Sequence, residues 1–435
     1  MTIELLFGRA GLSLTLPETA RAHVIEKPAF PPCTAPNEQI AQAFVTPHGS
    51  APLAELARGK RSACILICDI TRPVPNHLFL RPMIETLTNE GIPLDQITVL
   101  IATGLHRPNE GDELAELVGD PWVVENVRVE NHFALEDADH IDLGVTPKRG
   151  VPIKIDRRIV EADLKIATGL VEPHFMAGFS GGRKVVAPGV AHHETIRTFH
   201  SARFMEHPLA RECNLDGNPL HEEQLEIVRR LGDVYALNTV IDDKRNLVYC
   251  SFGEIVESHL AAVDFVRGYT EIPVGRKFKT VVTSAAGYPL DQTYYQTVKG
   301  MVTPLDILAE GGTLIIASSC AEGIGSDHFR AAQERLVALG PEAFLAGLEA
   351  KSFADVDEWQ TEMQLKPMRV GQIQLYAPAL SDDDFAVTGV ERISDLPTAI
   401  ADSIARHGDT DIAVIPEGPY VVPQATPRMP SVATQ

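Results

Sequence analysis

The runs SACILIC (62–68), ITVLIATG (97–104) and DLKIATG (163–169) are apolar and rich in β-branched residues, and none alternates with polar positions. A strand with one wet face alternates, whereas a continuous apolar run has both faces covered, as in a parallel sheet under helices. KTVVTSAAG (279–287), GTLIIASS (312–319) and IQLYAP (373–378) read the same way. Between these runs, HLFLRPMIETLTNEG (77–91), LHEEQLEIVRRLG (220–232) and EIVESHLAAVDFVRG (254–268) carry apolar positions at helical spacing. That alternation predicts an α/β fold with mainly parallel sheets flanked by helices. YALNTVIDDKRNLVYCSF (235–252) predicts a hairpin turning at Asp242, Asp243 and Lys244.

At 435 residues the chain exceeds one ordinary core, so two domains are expected. YTEIPVGRKFK (269–279), interrupted by Pro273 and Gly275, marks the boundary. The expected layout is an N-terminal α/β domain over 1–272 and a C-terminal α/β domain over 276–410, with the active site in the cleft between them. A last strand within 411–423 can return to the N-terminal domain, and 424–435 is expected to be a disordered tail. The formal charge of −21 disfavours nucleic acid and anionic membranes as partners. MTIELLFGRAGLSLTLPET has neither a basic start nor a continuous apolar core, so no signal peptide is expected. Six cysteines without a C-x-x-C pair read as free thiols in a reducing cytoplasm.

Ligands of open α/β sheets bind beyond the carboxyl ends of the strands. CDITRPVP (68–75), ATGLHRP (102–108), ATGLVEPHFMAGFSGGRK (167–184) and AAGYPLDQTYYQTVKG (285–300) leave such ends. They carry Asp69, Arg72, His106, Arg107, His174, Arg183, Lys184, Gln296 and Lys299. Five basic side chains gathered in Gly/Pro-rich strand ends of an acidic chain point to a small-anion site. The pentapeptide IATGL occurs at 101–105 and again at 166–170, and a histidine follows each copy.

GFSGGRK (178–184) imitates two other motifs. As a P-loop it lacks the glycine at Arg183 and the hydroxyl at Val185. As a nucleophile elbow around Ser180 it fits by letter, but RKVVAPG is a poor helix start. A glycine loop presenting Lys184 to a bulky ligand suits the composition better. His193 and His200 stand seven apart in AHHETIRTFHSARF, which is not a standard chelate spacing.

Taken together, DITRPVP, TGLHRP, EPHFMAGFSGGRK, His200 sixteen residues beyond Lys184, and YPLDQTYYQTVKG resemble the nickel-dependent lactate racemase family. The resemblance implies a racemase or epimerase of 2-hydroxy acids, with a nickel pincer cofactor, derived from a pyridinium mononucleotide, tethered to Lys184. It further implies His200 as the nickel ligand, His106 and His174 as the acid/base pair, and Asp69 among the cofactor contacts. Arg72, Tyr295, Gln296, Lys299 and Trp359 fall at substrate-binding positions, and separate maturation proteins would make the cofactor. Ile70 and Met176 depart from the pattern near the substrate, so reaction type is better specified than substrate. Two other classes stay open on the residues alone: a serine hydrolase using Ser180, and a non-catalytic organic-acid-binding protein.

Overall fold

The computed structural model describes residues 1–426, so most of the expected tail lies outside the described residues. The chain forms two compact units. The first comprises 29–200 and 208–268; the second comprises 1–28, 201–207 and the chain from 269 onward.

The first unit is built on a six-stranded sheet with the order Leu247–Glu254, Tyr235–Ile241, Leu164–Leu170, Ala63–Cys68, Ile97–Ala102, Arg128–Asn131. Every neighbouring pair is parallel except the hairpin formed by 235–241 and 247–254. The continuous apolar runs occupy the middle of this sheet, and Ile65, Ile67, Val99, Ile101 and Ile166 are fully buried. The crossover helix Asn76–Asn89 buries Phe79, Leu80, Met83, Ile84 and Leu87. Each such side chain contributes about 1.5–3 kcal/mol by leaving water. The chain begins at the centre with 63–68, moves outward through 97–102 and 128–131, and returns on the other side with 164–170. Ala63–Cys68 and Leu164–Leu170 are therefore adjacent strands whose following segments diverge, which opens a crevice at their carboxyl ends.

The second unit holds a parallel sheet in the order Glu391–Arg392, Gly371–Tyr376, Leu308–Ala317, Phe278–Ser284, Asp411–Ile415, Arg21–Val24. A hairpin of Thr2–Leu5 and Leu12–Thr15 precedes its edge strand. This grouping differs from the expected blocks 1–272 and 276–410 in placing 1–28 and 201–207 with the later chain. The 411–415 strand lies between 278–284 and 21–24, so it joins an amino-terminal segment but within the second sheet. Strand pairing is non-local, and nothing in the pattern of RAHV specifies which sheet it completes. The excursion 201–207 is held in the second unit by Lys366 Nζ on Met205 O at 2.7 Å and by a two-pronged Arg369–Glu206 pair. Among the described residues, no helix is long and apolar enough to cross a membrane.

Candidate active site

Three consecutive strand ends of the first unit's sheet, after Cys68, Ala102 and Leu170, carry the candidate residues. Beyond Cys68, a tight turn closes with Arg72 N–H on Asp69 O at 3.1 Å. The Asp69 side chain is buried and accepts from the Thr71 N–H at 3.2 Å and the Thr71 hydroxyl at 2.5 Å. Beyond Ala102, Gly104 takes φ +55 and its N–H bonds to Gly189 O, turning the chain so that His106 comes back over Asp69. His106 Nδ1 donates to Asp69 Oδ2 at 2.5 Å, so Nε2 carries the lone pair of a side chain that is 58% exposed. Burial pushes the Asp69 carboxyl up, but the His106 and Thr71 hydrogen bonds and the Arg72 charge outweigh it, and the net shift is downward. Asp69 is thus an ionised group that orients an imidazole.

Beyond Leu170, Pro173–His174 pairs antiparallel with Gly178–Phe179, folding the glycine segment back over the strand end. Gly178 has φ +80, and a Cβ there would sit 2.3 Å from Asn214 O, so only glycine fits. Asn238, on the neighbouring strand, receives the Gly182 N–H at 2.9 Å. Ser180 is 4% exposed and its hydroxyl donates to Leu170 O at 2.7 Å while accepting from Glu172 N–H, a structural brace. Arg183, only 1% exposed, donates to Ala177 O at 2.8 Å and lies 2.9 Å from His259 Nε2. Burial without a carboxylate contact pulls its guanidinium down to about 9. The loop therefore enters a single helical turn, Arg183–Val186, contrary to the expectation that RKVVAPG resists a helix. The strap from Arg183 and the grip of Asn238 supply what local propensity lacks.

That turn sets Lys184 Nζ 2.9 Å from His174 Nε2. His174 Nδ1 accepts from the N–H groups of Met176 (3.4 Å) and Ala177 (3.2 Å), which fix the ring with Nε2 toward the Lys184 amine. His200 ends the helix His193–Phe199; its Nδ1 donates to Ile196 O at 2.8 Å, and Nε2 holds the ring's lone pair. Burial, reinforced by the Lys184 charge, lowers it to about 4, so the imidazole is neutral at pH 7 and fit to ligate a metal.

The remaining expected residues lie in the second unit. Tyr295, Gln296 and Lys299 stand on the helix Tyr294–Val302, capped by the Thr293 hydroxyl. Gln360 Nε2 donates to Tyr295 O at 2.6 Å, tying that helix to Glu358–Val370, which carries the buried Trp359. The Gln296 Oε1 atom is buried with no protein donor among the described residues.

The strands that carry the two IATGL copies are separated by Ala63–Cys68, which runs between them. The anion cluster is smaller than five residues: Arg107 is clasped by both Glu113 oxygens at 2.7 Å, and Arg183 is spent on backbone. Arg72 stands 3.5 Å from Glu172, a partner not anticipated although it lies in the same EPH segment as His174. Asn109, whose Oδ1 receives the Ile70 N–H and whose amide binds Glu113, was also missed; its only signal was proximity to His106.

Comparison with known proteins identifies the surroundings of this geometry. Residues 7–212 match the lactate racemase N-terminal domain family and residues 275–422 the lactate racemase C-terminal domain family. Lactate racemase of Lactiplantibacillus plantarum is 31% identical over 389 residues, covering 88% of this chain and 90% of that protein. Lactate racemase of Thermoanaerobacterium thermosaccharolyticum is 33% identical over 329 residues, 75% of this chain and 76% of the relative. The structure of a lactate racemase apoprotein from T. thermosaccharolyticum superposes with a TM-score of 0.90 at 28% identity, covering 98% of this chain and all of that one. A Thermotoga maritima protein at 17% identity and a TM-score of 0.65 shares the fold.

Proposed function

Because the chain belongs to the lactate racemase family and is thus an isomerase, we propose that it inverts the stereocentre of lactate or a related 2-hydroxy acid by reversible hydride transfer. The observation that carries this reading is the Lys184 amine 2.9 Å from His174 Nε2, within electrostatic reach of a neutral, buried His200. The carbon to be inverted already bears a carboxylate, so removing its hydrogen as a proton would place two negative charges side by side. Removing it as hydride gives a flat 2-keto acid, provided the hydroxyl proton leaves at the same time.

The residues present fit the group the family resemblance implies: a primary amine for attachment and an imidazole lone pair for nickel. When bound, a nickel pincer cofactor attached at Lys184 and completed by His200 would supply the hydride acceptor. His106, aligned by Asp69, presents Nε2 to take the hydroxyl proton from one face. His174 supplies the second imidazole, for return of the proton on the other face. Arg72, now 3.5 Å from Glu172, would bind the substrate carboxylate. Gln296, with its buried Oε1 lacking a protein donor, and Lys299, Tyr295 and Trp359 are proposed as further substrate contacts.

Protein produced with the cofactor-maturation proteins should carry a mass addition on the Lys184 peptide and one nickel per chain. It should erode the optical purity of at least one acid in a panel of chiral 2-hydroxy acids. His200→Ala should lose nickel and keep the Lys184 adduct. An unmodified Lys184 under these conditions refutes the proposal; acids that bind to the matured protein without inversion would mark a carrier instead.

A further inference from the structure

A second constellation of imidazoles lies in the first unit, separate from the residues assigned above. Asp137, His192 and His193 place one ligand atom each within 4.8 Å of one another. His192 Nε2 lies 2.9 Å from Asp137 Oδ1, with the histidine fully buried and the aspartate 89% exposed. The rings continue inward as a stack: His193 on His192 at 4.2 Å, His192 on His140 at 4.8 Å and His140 on His132 at 5.1 Å between centroids.

The inner rings differ in one respect. His132 uses both nitrogens, Nδ1 with Asp156 at 2.9 Å and Nε2 with Ala191 O at 3.1 Å. His140 is 8% exposed; its Nδ1 donates to Glu136 O at 2.7 Å, and its Nε2 lone pair is buried with no partner among the described residues. A buried acceptor without a donor is costly unless something completes it. Glu136, which anchors this ring, immediately precedes Asp137 in sequence.

We propose that Asp137, His192 and His193 form a binding site for a divalent cation of the zinc type, backed by the His140 ring packed against His192. Two imidazoles and one carboxylate are a donor set zinc takes readily, with ligand distances of about 2.0–2.2 Å. The present spacing closes on such an ion through rotation of the exposed Asp137 and half-buried His193 side chains. Coordination at His192 Nε2 moves the ring proton to Nδ1 and gives up the 3.3 Å bond from Glu194 N–H that caps the following helix. The ion replaces that cap, joining the turn Asp137–Asp139 to the start of His193–Phe199. Since that short helix ends at His200, occupancy would stiffen the segment presenting the proposed nickel ligand.

The test is zinc titration of full-length protein made without the maturation proteins, followed by calorimetry and by thermal melting. One equivalent of zinc should bind and raise the melting temperature. Asp137→Asn and His193→Ala should each weaken binding at least about tenfold. His200→Ala should leave binding unchanged, which separates this site from the proposed nickel site. Absence of zinc binding, or binding indifferent to both Asp137→Asn and His193→Ala, overturns the proposal, as does binding lost in His200→Ala. Asp137→Asn alters an exposed side chain and should fold normally, so the test holds even if His193→Ala does not.

Discussion

Asp69→Asn separates orientation of a base from contact with the cofactor. In the structure Asp69 is buried, ionised and 2.5 Å from His106 Nδ1, and two bonds from Thr71 prevent it from turning away. The amide preserves shape and removes charge. A hydrogen bond to a charged partner contributes about 1.5–3 kcal/mol against about 0.5–1.5 for a neutral one. His106 is 58% exposed, so solvent screening favours the low end of that difference. About 1 kcal/mol then comes off transition-state stabilisation, roughly a fivefold fall in kcat/KM. If instead the Asn NH2 faces Nδ1, the ring adopts the other tautomer and its full acid/base contribution of about 10²–10⁴ is forfeited. The assay is chiral chromatography of matured enzyme acting on each enantiomer. The reaction's equilibrium constant ties the two directions together, so kcat/KM must fall by the same factor in both. Lys184 occupancy, measured by mass spectrometry, should match that of the unaltered enzyme. Unchanged kcat/KM, or a loss wholly explained by failed loading of Lys184, refutes the orienting role.

Ser180→Ala should leave racemisation within about twofold and lower stability by about 1 kcal/mol, because the hydroxyl only bridges Leu170 O and Glu172 N–H; abolished turnover together with phosphonate labelling of the unaltered enzyme would restore the hydrolase reading. Arg183→Met removes the donor to Ala177 O and relieves a desolvated cation, and the carbonyl left unpaired should dominate by about 1–2 kcal/mol. At about 2–4 °C per kcal/mol for a unit of this size, the melting temperature should drop visibly, and an unchanged or raised value contradicts the strap. Asp156 is pushed up by burial but held well below the usual carboxylate range by Arg158 and His132. Its folded value lies below its unfolded one, so its stabilisation is fully present above about pH 4 and is lost as pH falls below that. Urea midpoints should therefore decline below pH 4, and Asp156→Asn should flatten that decline; an equally steep decline in the variant assigns acid lability elsewhere.

The central strands of both sheets were legible because a strand buried on both faces must be apolar at every position, as SACILIC and ITVLIATG are, whereas the edge strands Arg21–Val24, Arg128–Asn131 and Glu391–Arg392 carry no such signal. The hairpin at 235–254 was legible for the same local reason. The residues proposed as reactive could be picked out as a class, since they lie in polar, Gly/Pro-rich segments directly after those strands. Their pairings were not. Asp69 meets His106, and Arg72 meets Glu172, because the chain turns back at the centre of the sheet and sets 164–170 and 97–102 on either side of 63–68. The helical turn at Arg183–Val186 and the membership of residues 1–28 in the second unit follow from partners hundreds of residues away or across the loop.

Local sequence thus determined where strands lie and which functional groups leave their ends, because periodicity and turn chemistry act over a few residues. The strand order decided which of those groups face one another and what charge each carries there. It made Asp69 the partner of an imidazole, since proximity and burial are properties of the assembled sheet, whereas Arg107 and Arg183 are taken up by Glu113 and Ala177 O within their own loops.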